Sequence, residues 1–452
     1  MPKSGKLGAV LAAALFYGGG TAAAADLIEA YRLAVKADPV VRAAEATRLA
    51  EYETKPQARA LLLPSIAFSA EYDRNRDHIT SSTFGAEGTY TYGSSVIALT
   101  LRQPLYHGDY YAQLRQADAT LARADAQYNA AQQALMTRIA QAYFNLLAAR
   151  DNLAFVRAQK DSIAHQLEQA RKRFDVGLIA ITDVHVAQAA YDLSVAQEIE
   201  AINSLQSSQE ALYEITGQFM AEVNPLTSDI PLAVPDPADV DQWVNVALKQ
   251  NFDLLAAQFS EQIAREEITR QRTGHYPVLD LVATVSRTDI GNGALSRTNG
   301  DDTVVGLQFT LPLYEGNAVV SRTRQAGYQL ANALEQVESQ RRSTLRQTRD
   351  AYNAVIAAIN RVKAFAQARI SARSALDATE AGFEVGTRTA VEVLTARSDL
   401  FQAETNYARA RYDYIVNTLL LRQASGSLTI ADLEDVNSHL ATSTQPAPPP
   451  KF

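Results

Sequence analysis

The chain has 452 residues, 47% of them hydrophobic, no cysteine and a formal net charge of −8. The acidic balance excludes a general nucleic-acid binder, and the absence of cysteine excludes disulfides and thiol chemistry. Six histidines, at 78, 107, 165, 185, 275 and 439, lack metal-ligand spacing, and no glycine-rich phosphate loop or nucleophile elbow occurs, so no catalytic, cofactor or metal site is expected.

Residues 1–25 read as a secretory signal. Lys3 and Lys6 precede an apolar run from Leu7 to Tyr17, and small residues follow to an Ala-x-Ala site at Ala23–Ala25. The run is too short to span a bilayer as a helix. Removing Lys3 and Lys6 leaves 40 basic residues against 50 acidic, a net charge of −10. No cysteine follows the signal, so no N-terminal lipid anchor is expected.

A change to period two follows the first short helical stretch. In "PSIAFSAEYDR" (64–74), Ile66, Phe68, Ala70 and Tyr72 share a face; in 93–103, Ile97, Leu99 and Leu101 oppose Ala98, Thr100 and Arg102. These are strands with one apolar and one polar face, joined by a polar segment, 75–94, that reads as an exposed loop. A long helix is expected over about 105–176, since no Gly or Pro interrupts Asp109 to Val176. Leu121, Tyr128, Leu135, Ala142, Ala149, Val156, Ile163 and Ala170 keep a seven-residue beat beside a second row of Ile139, Leu146, Leu153, Leu167 and Phe174, the mark of coiled-coil-like packing. About 68 such residues make a rod of roughly 100 Å. The helix stops at Gly177, a residue suited to a left-handed cap, and a return helix occupies 178–216.

Residues 217–238 form a joint containing Pro225, Pro231, Pro235 and Pro237, and then the plan repeats. Strands are expected at about 277–287 and 303–312, with 288–303 as their loop, a long helix at about 313–385, a stop at Gly386 and a return helix at 388–425. Residues 426–440 form a short C-terminal segment, and the Pro-rich tail 441–452 reads as disordered. "RFDVGLIAITDVH" (173–185) matches "GFEVGTRTAVEVL" (382–394), and Phe174, Gly177 and Gly217 pair with Phe383, Gly386 and Gly426, all 209 residues on. "RQPLYHG" (102–108) echoes "TLPLYEG" (310–316), and "KADPVVRAAE" (36–45) echoes "KQNFDLLAAQ" (249–258). The repeats are roughly 26–216 and 239–425.

Four strands of about ten residues suit a tilted transmembrane β-barrel, with Arg102, Asp280 and Gln308 facing a wet lumen. Four strands cannot close one, and open edges are not tolerated in lipid; a barrel would have to be assembled from several chains. The combination of "RFDVGLIAITDV", "EAGFEVGTRTAVEVL", "LPLYEG" and "GHYPVLDL" closely resembles the TolC family of outer-membrane efflux channels over nearly the whole mature chain. The resemblance implies an α+β membrane protein: a homotrimer whose coiled-coil-like helical tunnel continues into a twelve-stranded transmembrane β-barrel in outer-membrane lipid. It implies a resting entrance at the helix tips that opens on docking to a periplasmic adaptor and an inner-membrane pump. Two tips per chain give six around the entrance. It further implies a periplasmic gate at Thr182, Asp183 and Arg388; the closing tyrosine of the family is Phe383 here, without the hydroxyl. The constriction acids of the family fall at 392 and 395, where Glu392 keeps the charge and Thr395 does not. Gly177 and Gly386 form the tip turns and the adaptor contact. The alternative is a periplasmic coiled-coil adaptor or scaffold without a channel, which gives no reason for the alternating strands.

Overall fold

The computed structural model describes residues 25–81, 87–220, 222–227, 230–292 and 297–441. The expected signal segment, apart from Ala25, and the C-terminal tail, apart from Ala441, lie outside them. The first half comprises α1 (Leu27–Ala37), α2 (Pro39–Tyr52), α3 (Thr54–Ala60), β1 (Ser65–Ile79), β2 (Gly88–Tyr106), α4 (Gly108–Asp175) and α5 (Ile181–Thr216). The second comprises α6 (Val240–Gln250), α7 (Phe252–Arg272), β3 (Val278–Ile290), β4 (Thr298–Thr310), α8 (Ala318–Glu384) and α9 (Ala390–Ala424); α10 (Ile430–Ser438) follows.

The repeated segment at 36–45 and 249–258 is a helix break. Asp38 ends α1 and caps α2, accepting from the backbone N–H groups of Val40 and Val41. Asn251 does the same between α6 and α7, accepting from Leu254 at 3.1 Å. Each cap also anchors its helix pair to a longer one. Arg138 of α4 pairs with Asp38, and Asn251 donates to the Ala424 carbonyl of α9 at 3.1 Å.

The two long helices, of 68 and 67 residues, extend roughly 100 Å at 1.5 Å per residue. The heptad positions form the seam: Leu135, Ala142, Ala149 and Ile163 are buried, with Ile139, Leu146, Leu153 and Leu167 beside them. In α8, Val355, Ile359 and Val362 play the same part. The main core lies around the middle of α4, where Tyr143, Phe144 and Leu147 meet α1, the ends of α5 and α9, and α10. There the Tyr143 hydroxyl is within hydrogen-bond distance of the carbonyls of Ala25 (3.1 Å) and Asn224 (3.0 Å), tying the inter-repeat joint to α4. No described helix is long and apolar enough to cross a membrane.

The strands form one antiparallel sheet in the order β1-β2-β3-β4. The seam between the repeats is therefore a strand pair, β2 with β3. Both hairpins extend beyond the sequence expectation: β1 runs to Ile79 and β2 begins at Gly88, and β3 and β4 reach Ile290 and Thr298. Most of the segments expected as loops are thus paired strand. Their polar side chains bond across the ladder, Asn75 to Ser94 at 2.9 Å and Tyr92 to Asp77 at 2.8 Å, and so need no core to stay extended. At the other end β2 continues to Tyr106 through a bulge between Pro104 and Tyr106, delaying α4 to Gly108. The second long helix starts at Ala318 rather than 313, because Gly316 and Asn317 adopt left-handed φ angles of 58° and 64°.

One face of the sheet is an apolar belt open to the surroundings: Phe68 is 69% exposed, Leu99 49%, Val285 54% and Leu307 66%. Its far border falls at Tyr72, Ile97, Val285 and Val305. In the pairing register Tyr72 faces Ser95, Ile97 faces Arg287 and Val285 faces Thr303. The border thus steps back two residues per strand. A level belt then requires strands tilted on the order of 50°. Tyr106, Tyr276 and Tyr314 lie exposed near the helical end, where an interfacial aromatic girdle is found in membrane barrels. The opposite face is polar. Thr100 contacts Thr284 at 3.2 Å, and Asp280, 2% exposed, accepts from Arg102 at 2.6 Å and lies 3.0 Å from His107 Nε2.

Candidate functional site at the helix tips

Each hairpin of long and return helix turns within a few residues, and both turns are built alike. Gly177 and Gly386 sit at φ 77° and 78°, a region costly for residues with a Cβ. In the first tip Gly177 N–H donates to Phe174 O and Leu178 N–H to Arg173 O, both at 2.8 Å; in the second Gly386 N–H donates to Phe383 O at 3.1 Å and Thr387 N–H to Gly382 O at 2.8 Å. These paired bonds satisfy the last helical carbonyls as in a Schellman cap. The turns leave Val176, Leu178 and Val385 exposed by 69, 73 and 75%.

Past the turns the copies diverge. The second return helix begins with a capping box, Thr389 to Glu392. Glu392 accepts from the Thr389 N–H at 2.7 Å, from the Thr389 hydroxyl at 3.0 Å and from Arg388 Nη1 at 2.7 Å. The backbone bond first, then the two side-chain bonds, pull its carboxyl down to about 2. In the first tip the cap position is Ala180, which makes no side-chain cap bond. Its N3 residue, the counterpart of Glu392, is Asp183. Both Asp183 and Thr182 are exposed, and no hydrogen bond or ion pair among the described residues engages the Asp183 carboxylate.

The arginines also trade places. Arg388 follows its turn, and its stem lies on Gly382: a Cβ there would meet Arg388 Cγ at 2.7 Å. The counterpart of Gly382 in the first tip is Arg173, and its guanidinium lies over the Phe383 ring, 4.9 Å from the centroid. Phe383 also packs on the small buried cluster of Leu376, Val393 and Leu400 that locks α8 to α9. Higher up, Arg397 of α9 bridges Ser162 of α4 and Glu380 of α8. Thr395 spends its hydroxyl on the Val391 carbonyl at 2.9 Å.

Within the chain, then, the structure joins Arg388 to Glu392 and does not join it to Asp183. The Thr389-x-x-Glu392 box was legible as a short motif. The Arg173–Phe383 and Arg397–Ser162 contacts link separate hairpins, and no local pattern announces them.

Two equal helical hairpins continuous with an apolar-faced antiparallel sheet define a channel protein of the outer membrane. The sequence profile of the outer membrane efflux proteins matches residues 30–218 and 243–427, one stretch per repeat, and the chain belongs to that family. It is 40% identical to outer membrane protein TolC of Vibrio cholerae over 420 residues, 92% of this chain and 94% of that one. It is 29% identical to alkaline protease secretion protein AprF of Pseudomonas aeruginosa, covering 94% of this chain and 89% of the relative. The fold is also that of the Campylobacter jejuni CmeC outer membrane channel, with a TM-score of 0.77, 17% identity, and 93% and 90% of the two chains covered. The protein is an efflux or secretion channel of the Gram-negative outer membrane.

Proposed function

We propose that three copies assemble into one exit duct. The observation that carries this is the open four-stranded sheet: its apolar belt is exposed, yet β1 and β4 have no outer partner within the described chain. Lipid does not tolerate such edges, so β4 of one copy pairs with β1 of the next and twelve strands close. The helical hairpins then wall a periplasmic tunnel with six tips at its mouth. A periplasmic adaptor and an inner-membrane pump open it, and Val176, Leu178 and Val385 at the turns offer apolar contact for the adaptor. Such a duct serves export of small molecules or of a secreted protein, as its likeness to TolC and to AprF suggests.

At rest, Asp183 is free to meet Arg388 of an adjoining tip, and Phe383, Arg388 and Glu392 line the constriction with Thr395. The test is extraction from outer membranes in mild detergent, followed by electrophoresis with and without heating and by planar-bilayer recording. An unheated trimer that conducts supports the duct. A non-conducting periplasmic monomer overturns it.

A further inference from the structure

Beyond the apolar belt, β1 reads Glu71, Tyr72, Asp73, Arg74, Asn75, Arg76, Asp77. Strand alternation sorts this run by sign. The pairing of β1 with β2 is unbroken from Ser65 to Ile79, so Arg74 and Arg76 share the face of Ile66, Phe68 and Tyr72, while Glu71, Asp73 and Asp77 share the polar face. Arg287 lies on the belt face of β3, two residues past Val285, as Arg74 lies two past Tyr72. With the belt level, Arg74 and Arg287 stand at one height, just outside the apolar zone.

Between them β2 presents only Gly93 and Ser95, and the Tyr72 ring leans over Gly93: a Cβ there would fall 2.8 Å from the Tyr72 hydroxyl. The floor is therefore shallow and rimmed by guanidiniums. Arg74 and Arg76 are exposed, and among the described residues neither makes an ion pair. Among the described residues Arg287 makes one ion pair, with Asp301 at 3.8 Å with both side chains about three-quarters exposed, and Asp289, which also feels Arg287, is taken by Arg297 at 2.7 Å. Arg74 and Arg76 thus stand without an ionic partner among the described residues, on a chain of net charge −8.

We infer that Arg74, Arg76 and Arg287 bind the phosphorylated headgroups of lipids in the outer leaflet. This rests on the barrel reading above. The height of the row matches the headgroup layer, acyl chains would lie on the belt directly below, and the fixed fork of arginine suits phosphate oxygens. Successive outward positions on one strand are roughly 7 Å apart, so Arg74 and Arg76 can grip one phosphate together.

The experiment uses the full-length, delipidated trimer and two probes, diphosphorylated lipid A and the same lipid stripped of phosphate, with retained lipid counted by native mass spectrometry. Each arginine near an anionic surface contributes about a fivefold factor. The wild type should retain the phosphorylated probe at least about tenfold better. Arg74→Gln with Arg76→Gln should abolish that preference, Arg287→Gln should weaken it less, and Arg74→Lys with Arg76→Lys should keep most of it. Excess inorganic phosphate should displace little, because the belt holds the acyl chains. Equal retention of both probes, wild-type retention by the double glutamine variant, or displacement by free phosphate would overturn the site while leaving the trimer standing. Absence of a trimer would overturn the barrel and the site with it.

Discussion

Arg173, in the last turn of α4, holds its guanidinium 4.9 Å from the ring centre of Phe383, in the last turn of α8. This contact couples the two hairpins at their mouths and needs no hydroxyl on the ring. A cation–π pair at an exposed site is worth about 0.5–1 kcal/mol, so three copies bias the closed entrance at least about tenfold. Arg173→Gln and Phe383→Leu should therefore each raise the open fraction in single-channel recordings. Arg173→Lys should fall between. Wild-type conductance in both variants would remove this pair from the closure.

Arg388 serves its own Glu392 at 2.7 Å and, in the assembly proposed above, Asp183 of an adjoining tip. Arg388→Ser should raise conductance and make cells leaky to large antibiotics. Asp183→Ala should do the same, and the double variant should add little, because both remove one bond. The ion readout separates the two roles. Carboxylates around a narrow axis favour cations, so reversal potentials in a salt gradient should shift toward cations in Arg388→Ser and away from them in Glu392→Gln.

The halves of this molecule were differently legible. Periodicity exposed the strands and the rods because each keeps one rhythm over many residues, as Ile66 to Tyr72 and Leu121 to Ile163 do. The strand extensions past Arg74 and Gly93 were hidden because their side chains are polar on both faces, and only the pairing register keeps them extended. At the tips, Gly177 and Gly386 were readable from the backbone need for positive φ. Glu392 was read as a ring charge, whereas it also closes a capping box. Arg173 was invisible, since its partner Phe383 lies 210 residues away and nothing local marks the meeting.

The Glu392 cap sets a pH window. Its folded carboxyl stands at about 2 against an ordinary 4.5. A lowered folded value stabilises fully above the unfolded value and is lost as pH falls through the folded one. The start of α9 should therefore keep its protection down to about pH 4.5 and lose it progressively toward pH 2. Amide exchange at Val391–Val393 checks this. Glu392→Ala, which removes the acceptor, should exchange fast already at neutral pH, whereas Glu392→Gln keeps a capping carbonyl. Unchanged exchange in the alanine variant would show that the cap does not hold this end of α9.

Asp151 of α4 accepts from the Tyr412 hydroxyl at 2.6 Å. Burial pushes its carboxyl above the ordinary 3.8, against the pull of Tyr412, Arg150 and Arg411. A raised carboxyl makes the folded state the better proton binder, so stability falls as pH climbs from 3.8 through the folded value. Asp151→Asn keeps an acceptor for Tyr412 and drops the charge. It should be stabilising at pH 7, with the gain vanishing near pH 4. Denaturant midpoints of the extracted protein at the two pH values test it; a gain that does not depend on pH would contradict the cause.

The most direct test of the assembly uses the absence of cysteine from the chain. Ala70→Cys on β1 is combined in turn with Val305→Cys, Leu307→Cys or Phe309→Cys on β4, all on the belt face, in outer membranes under mild oxidation. Two strands intervene between β1 and β4 within one chain, a gap of roughly 14 Å that no disulfide spans, so every crosslink formed joins two copies. The account predicts, for the pair in register, a denatured ladder of monomer, dimer and trimer that ends at three. No crosslink in any pair, or a ladder running past three, would contradict it.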